Sequence, residues 1–329
     1  MARHRFSVAP MMDCTDRHYR VLMRQISGKA LLYSEMVVAQ ALHFCGAQEG
    51  KRERLLDFDP IEHPIALQVG GDDPVLLAEA ARLAEAWGYD ELNLNLGCPS
   101  PRVRAGRFGA CLMAEPDHVA RCIEAMAEHC RLPVTVKHRT GIDRLDSYGL
   151  LLAFVDRLAA AGARRFSVHA RKAWLEGLNP SQNRTIPPLR HDLVEQLKRD
   201  RPELLIELNG SLLNLSQCEN ALTKVDAVMV GRAAYEHPMA WVELDRRLHG
   251  VQRQPARPSA VVWGVIPYAE AQLRRGGRLW DMARHLVKLV EGVRGARAWR
   301  RQLSLRGQAR GAGVEVLEQA ARQLEDQGL

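Results

Sequence analysis

Several familiar signatures are missing from this 329-residue sequence. No apolar run approaches the roughly 18 residues that a membrane span needs. The N-terminal Met-Ala-Arg-His-Arg-Phe is basic, but no apolar core or cleavage site follows it, so it does not read as a secretory signal. There are seven cysteines, an odd number, and no C-x-x-C pair. That argues against a disulfide framework and a zinc ribbon, and it points to a reducing, cytoplasmic setting. The glycine-rich fingerprint G-x-G-x-x-G occurs nowhere, which weighs against a doubly wound dinucleotide-binding sheet.

What is present is ordinary in bulk and uneven in its charge. A hydrophobic content of 47% with 26% charged residues suits a soluble globular protein. The length fits one large α/β barrel or two domains. The net charge of +7 is not spread along the chain: residues 1–238 hold 30 Lys/Arg and 30 Asp/Glu, whereas residues 239–329 hold 16 and 9. A neutral body with a basic C-terminal piece suggests that this piece meets a polyanion, most commonly nucleic acid. A solvated basic helix face is the bland alternative.

Short apolar runs of strand type recur at 6–11, 31–37, 65–70, 92–97, 134–139, 166–170, 205–210 and 227–231. Helical spacing fills the gaps, most clearly over 73–87 and 116–130. Strand and helix in alternation predict parallel βαβ units. Eight of them between residues 6 and 231 fit a (β/α)8 TIM barrel, for which about 250 residues is typical. Residues 239–329 are expected to add a linker and a smaller all-helical domain. Gln252 to Ser259, with two prolines and two arginines, reads as the linker, and the helices are expected from Pro267 onward.

In such a barrel the active site lies at the C-terminal ends of the strands. Those ends carry Pro10-Met11-Met12, Ser34-Glu35, Gln68, Asn95 and Cys98, Lys137 and Arg139, His169 and Arg171, Asn209-Gly210-Ser211, and Gly231-Arg232. Any one could be structural, but polar groups at nearly every exit of one mouth are hard to explain as packing. In 91–100 the first residues alternate polar and apolar, as a half-buried strand does, and Gly97 and Pro99 then set Cys98 at its exit. Taken alone, Cys98 is either a small buried hydrophobe or a reactive thiol. Loops after strands 7 and 8 of such barrels often cradle a phosphate, and Gly210, Gly231 and Arg232 suit that task. Lys137 could put positive charge beside a reduced flavin, Gln68 could bond its pyrimidine edge, and the backbone of Pro10–Met12 could close over it. These roles favour FMN over a nicotinamide or pyridoxal phosphate. Farther on, Arg294, Arg297, Arg300 and Arg301 recur at three- or four-residue spacing, Arg306 and Arg310 follow, and no acid interrupts 294–310. The stripe reads as a surface for a phosphate backbone, with Trp299 as either a core anchor or a stacking platform.

With these residues in view, the chain resembles the tRNA-dihydrouridine synthases, and within them the DusA type that acts on positions 20 and 20a. The likeness is carried by Ala9-Pro10-Met11-Met12-Asp13, Leu32-Tyr33-Ser34-Glu35-Met36, residues 92–100, Phe108-Gly109-Ala110-Cys111-Leu112-Met113, His169-Ala170-Arg171-Lys172-Ala173-Trp174-Leu175 and Ala296-Arg297-Ala298-Trp299-Arg300-Arg301. It covers essentially the whole chain. The resemblance implies an FMN enzyme with a barrel and a tRNA-binding helical domain. It would place FMN on Pro10, Met11, Met12, Gln68, Lys137, His169, Asn209, Gly210, Ser211, Gly231 and Arg232. It makes Cys98 the proton donor and implies tRNA contacts at Asn95, Ser181, Arg184, Arg297 and Arg300. Three positions depart from the family pattern: Ser211 stands where a second Gly is frequent, Cys14 where a Trp is common, and Ser181 where a Lys is frequent.

The implied reaction reduces the C5=C6 bond of uridine. NADPH (or NADH) would reduce FMN, hydride would pass to C6, and Cys98 would protonate C5. A thiol suits this step because its reference pKa of about 8.5 keeps it mostly protonated at neutral pH. Cys111 is expected to be structural. Two rival readings are a small-molecule pyrimidine reductase of the dihydroorotate dehydrogenase kind and a non-catalytic RNA-binding barrel. The basic tail argues against the first, and the intact set of strand-end polar groups against the second.

Overall fold

Eight parallel strands close into a barrel in the computed structural model, which describes residues 4–45, 50–252, 254–293 and 295–329. They are β1 (Phe6–Val8), β2 (Leu31–Tyr33), β3 (Ile65–Gly70), β4 (Glu91–Leu96), β5 (Val134–Arg139), β6 (Arg165–His169), β7 (Leu205–Asn209) and β8 (Ala227–Val230). β2 pairs with β3 through Leu32 opposite Ile65, and β8 returns to β1 with Met229 opposite Ser7. The expected TIM barrel is therefore what forms.

The first two strands are shorter than expected. The run 6–11 stops at Val8, because Pro10 cannot donate to a ladder and the next residues turn back, with Thr15 N donating to Met11 O at 2.9 Å. The run 31–37 breaks at Ser34, whose hydroxyl accepts from Gln68 N at 3.0 Å, and pairing resumes in the two-residue strand Val37–Val38 beside the end of β3.

The alternation in β4 has a different meaning from the one expected. Glu91, Asn93 and Asn95 do not face water. They point into the barrel and are as buried as Leu92, Leu94 and Leu96, which face the surrounding helices. The same period of two sends Ser7, Tyr33, Gln68, Thr135, Lys137, Arg165, Ser167, Glu207 and Asn209 inward from the other strands. Polar groups in a closed interior must satisfy one another. Glu91 accepts from the hydroxyls of Tyr33 and Thr135, each at 2.7 Å, and lies 3.7 Å from Arg165. Glu207 accepts from Ser7 at 2.7 Å and from Ser167. The barrel thus has a polar floor beside a small apolar cluster of Ala9, Leu31, Tyr33, Ala66 and Met229, and the main apolar core lies outside the strands, under the helices.

Connecting helices start where their caps dictate. Asp73 accepts from Val75 N at 2.8 Å ahead of Pro74–Ala86, and proline again opens Pro116–Glu128. Past the barrel, Trp241 is fully buried against Phe6 (ring centroids 5.3 Å apart), and Asp245 accepts from Gly28 N at 2.8 Å. Four helices follow: Pro258–Arg274, Leu279–Leu286, Ala296–Gly307 and Glu315–Glu325. The linker is therefore shorter than expected. A proline in the first turn is already set for a helix, so Pro258 starts one that runs through Pro267 rather than from it. Arg253 of the expected linker, Arg294 of the expected stripe, and Met1 to Arg3 lie outside the described residues. The helix Arg17–Ile26 packs against both Pro258–Arg274 and Leu279–Leu286, so the apolar core continues from the barrel into the C-terminal helices. Among the described residues no helix is long and apolar enough to cross a membrane.

Candidate active site

Cys98 sits at the end of β4 on a segment held from several sides. The Asn95 side-chain oxygen accepts from Gly97 N at 3.2 Å and from Cys98 N at 3.0 Å, which is an Asx turn. The Asn95 amide donates to Gln68 Oε1 at 2.8 Å, and Gln68 in turn donates to Asn93 Oδ1 at 2.8 Å. From the end of the neighbouring strand β5, Arg139 Nε donates to Gly97 O at 2.9 Å. Ala110 N donates to Cys98 O at 3.0 Å. Gly109, with φ 77, comes so near that a Cβ there would lie 2.6 Å from the Cys98 carbonyl oxygen. Cys98 keeps part of its surface open to the mouth. Cys111 differs: its thiol meets Phe108 O at 3.2 Å and burial raises its pKa, in keeping with a structural residue. Cys122 and Cys218 are buried in the shell, and burial pushes both thiols to about 12.

Cations surround this thiol. Lys137 Nζ donates to Asn209 Oδ1 at 3.1 Å, and Asn209 is itself tied to Met229 O at 2.8 Å. Lys137 keeps some accessible surface, yet it stands amid dense protein. Burial lowers its ammonium to about 8, the Arg139 charge adds to that, and Glu207 and Cys98 oppose it. Burial also lowers Arg139 to about 10, again opposed by Cys98. His169 is pushed well below the usual histidine value by burial and by Arg139, Lys137, Arg171 and Arg184, so it is neutral at pH 7. Arg184 reaches the same space, since its guanidinium feels both Cys98 and Arg232.

Beside the cations the exits of β7 and β8 form a cradle for an anion. Gly210 has φ 122, and a Cβ there would come 3.1 Å from His169 Cδ2. Ser211 has φ 55, a left-handed conformation that favours glycine. Gly231 packs under Met11, 3.4 Å from its Sδ to a notional Cβ. Among the described residues the amides of Gly210, Ser211 and Gly231 have no partner within the chain. Arg232 is exposed at the rim, and Arg171 Nη2 donates to Ser211 Oγ at 3.3 Å.

The structure therefore gathers Cys98, Asn95, Gln68, Lys137, His169, Asn209, Gly210, Ser211, Gly231 and Arg232 at one mouth, with Pro10, Met11 and Met12 along its edge. Met12 is largely exposed there. Ser181 lies on the exposed outer part of the β6 loop. Arg297, Arg300 and Arg301 are exposed on Ala296–Gly307, whereas Trp299 turns inward and donates to Leu286 O at 3.0 Å, which makes it a core anchor. Arg306 ends the same helix beside Gln319, and Arg310 lies beyond it. Sequence reasoning missed Asn183. It is fully buried, holds Trp174, Leu178 and Asn179 through its side chain, and offers its carbonyl to Arg139 at 2.9 Å. That brace fixes the loop that carries Arg184, and nothing in its local sequence marks it.

A family profile described as "Dihydrouridine synthase (Dus)" matches residues 7–325. The chain belongs to the dihydrouridine synthase family. Its similarity to curated members is high along nearly the full length. It is 54% identical over 315 residues to the tRNA-dihydrouridine(20/20a) synthase of Synechocystis sp., covering 95% of this chain and 92% of the relative. It is 51% identical over 315 residues to the protein of that name from Shewanella oneidensis, covering 96% and 92%. A third, from Salmonella typhimurium, is 48% identical over 324 residues, covering 98% and 96%. As a dihydrouridine synthase, the chain is an oxidoreductase.

Proposed function

We propose that this dihydrouridine synthase reduces uridines 20 and 20a of tRNA to 5,6-dihydrouridine in the cytoplasm, with FMN as its cofactor and NADPH as reductant. The observation that carries the reading is the placing of a partly open thiol among Lys137, Arg139 and Arg184 at the mouth of a barrel in this family. The residues present suit FMN. The free amides of Gly210, Ser211 and Gly231, with Arg232, match a phosphate. The glycine conformation at 210 leaves space that a side chain would fill. Gln68 retains one N–H and acceptor capacity for a pyrimidine edge, and the Lys137 ammonium matches a site of negative charge.

When bound, FMN supplies the hydride that reaches C6 of uracil. The chain's own residues do the rest. Cys98 holds the proton for C5 on a segment fixed by Asn95, Arg139 and Gly109, so little reorganisation accompanies its transfer. Lys137 and Arg139 would set positive charge beside a bound flavin, where negative charge on it would be offset. His169, neutral, can hydrogen-bond a ligand without adding to the local charge. The uracil leaves the tRNA stack at a cost of roughly a few kcal/mol, which phosphate contacts at Arg297 and Arg300 offset. Arg184 and Asn95 stand where the base arrives, and Ser181 lies farther out on the same loop. Residues 1–238 form the catalytic unit in this reading, with the RNA surface on 239–329.

Two measurements test it. The purified protein should carry flavin absorbance or gain it with FMN, and a colourless protein that binds none sinks the cofactor assignment. In a deletion strain, tRNA should lack dihydrouridine at 20 and 20a and regain it with the wild-type gene; restoration at other positions alone overturns the site assignment. A reductase of free pyrimidines would leave tRNA unchanged.

A further inference from the structure

We propose that Arg284 of the helical domain and Asp16 of the barrel are positioning residues for FMN: they hold the turn 10–16 in place and so connect the RNA-binding helix to the redox site. The inference rests on the assignment of FMN to the Pro10–Met12 backbone.

The turn is compact and strained at one point. Thr15 N and Cys14 N both donate to Met11 O, at 2.9 and 3.1 Å, and Met11 N donates to Thr15 Oγ1 at 2.9 Å. At its centre Asp13 has φ 62, a conformation that persists in a non-glycine residue only when the surroundings over-determine it. Here both backbone groups of Asp13 are held from outside the turn. Its N–H donates to Glu35 at the exit of β2. Its carbonyl accepts from Arg284 Nη1 at 3.0 Å. The second Arg284 nitrogen pairs with the Asp16 carboxylate, whose other oxygen lies 3.0 Å from the fully buried His285 and caps the helix Arg17–Ile26 by accepting from Tyr19 N at 2.9 Å. A residue of the helical domain therefore supplies one of the two outside grips on Asp13.

Both ends of this grip lead to sites of function. At one end Met11 rests on Gly231 of the anion cradle. At the other, Arg284 and His285 occupy the last turn of Leu279–Leu286. The carbonyl of Leu286 accepts from the indole of Trp299, which stands between Arg297 and Arg300 on Ala296–Gly307. A shift of the RNA helix therefore moves the arginine that fixes the turn. Such coupling is reciprocal: tRNA tightens FMN by the same factor as FMN tightens tRNA.

The test is FMN affinity, read by flavin fluorescence with and without saturating unmodified tRNA, in wild type, Arg284→Gln, Asp16→Asn, the double variant and Arg284→Lys. Asparagine keeps the helix cap and turns the oxygen that accepts from Arg284 into an N–H donor, so the pair with Arg284 is lost. In the wild type tRNA should tighten FMN by a factor within about 5 to 150. Both single variants should bind FMN more weakly and lose that factor, the double variant should be no worse than the weaker single, and Arg284→Lys should restore part. The melting temperature of FMN-free protein should fall in Arg284→Gln and Asp16→Asn, because each leaves a partly buried partner unpaired, and fall less in Arg284→Lys. Variants that bind FMN as wild type does, with the same tRNA effect, overturn the proposal. So do variants whose FMN affinity falls while the wild-type tRNA factor is kept, which a role in packing alone would give. A wild type that binds no FMN fails the cofactor assignment instead, and this inference with it.

Discussion

The barrel mouth and the helix Ala296–Gly307 both depend on arginine, in opposite physical settings. Arg139 is only 3% exposed and has three backbone carbonyls as partners, on Gly97, Lys172 and Asn183. Arg297, Arg300 and Arg301 are exposed, with no side-chain hydrogen bond among the described residues. The first kind of arginine sets the position of other groups to within a fraction of an ångström. In the proposed function the second offers charge to an RNA backbone that brings its own. Chemistry at one carbon needs the former, since a misplacement of about 1 Å can cost two orders of magnitude. Holding a phosphate backbone needs only additive charge.

Substitutions at the two places should separate these roles. The largest effect is expected at the thiol. Cys98→Ser should lower the rate of dihydrouridine formation by about 10²–10⁴ while leaving tRNA affinity near wild type, and an unchanged rate removes Cys98 from the mechanism. Next comes the arginine exchange itself. Arg139→Lys loses the fork that reaches three carbonyls, so turnover should fall at least about tenfold, whereas Arg297→Lys should stay within about twofold. Equal effects at the two positions would erase the distinction drawn here. Removing charge altogether, with Arg297→Ala and Arg300→Ala combined, should weaken tRNA binding and lower its salt slope by about 2, with turnover at saturating tRNA preserved. An unchanged slope would make the helix face merely solvated.

A smaller effect is expected from pH. The Lys137 ammonium, lowered to about 8 by burial, is charged below that value and neutral above it. Reduction of bound flavin by NADPH, followed without tRNA so that the thiol is not involved, should decline as pH rises through about 8. Arg in place of Lys137 should move the decline upward, and a profile identical to wild type would argue against a role for the charge. The same shift has a stability consequence of definite sign. Between about 8 and the unfolded value of about 10.4 the unfolded chain binds more protons, so this group makes the fold more stable as pH rises through that window. Lys137→Met should remove that slope. Smallest of all, Ser211→Gly relieves the φ 55 conformation and should raise stability by up to about 1 kcal/mol in thermal melting, unless loss of the Arg171 contact cancels it.

Much of the site was legible because strand ends are legible. In a parallel barrel every C-terminal end faces one mouth, so finding eight runs was enough to bring Gln68, Cys98, Lys137 and Asn209 together. Pro10 and the glycines at 210 and 231 marked turns through their own backbone preferences. Other features had no local signature. Asn183 looks like any loop asparagine until its four partners are seen, and Arg284 looks like one more basic residue of a helix. The alternation in β4 was read correctly as a strand but as a half-buried one, whereas its polar side meets Tyr33, Thr135, Arg165 and Gln68 inside the barrel. Period two reports that two faces differ, not which solvent each face meets.

The sequence by itself determined what local chemistry can encode: strand and helix alternation, the Asx-type turn before Cys98, the helix starts at proline and aspartate, and a basic surplus confined to the last 91 residues. Closure of the barrel, and the contacts that follow from it, were decided only by tertiary structure. Those contacts join residues as far apart as Asp13 and Arg284, and no pattern within a short window can specify such a pairing. It arises because burying the apolar face of Arg17–Ile26 under the C-terminal helices leaves Arg284 within reach of one strained carbonyl.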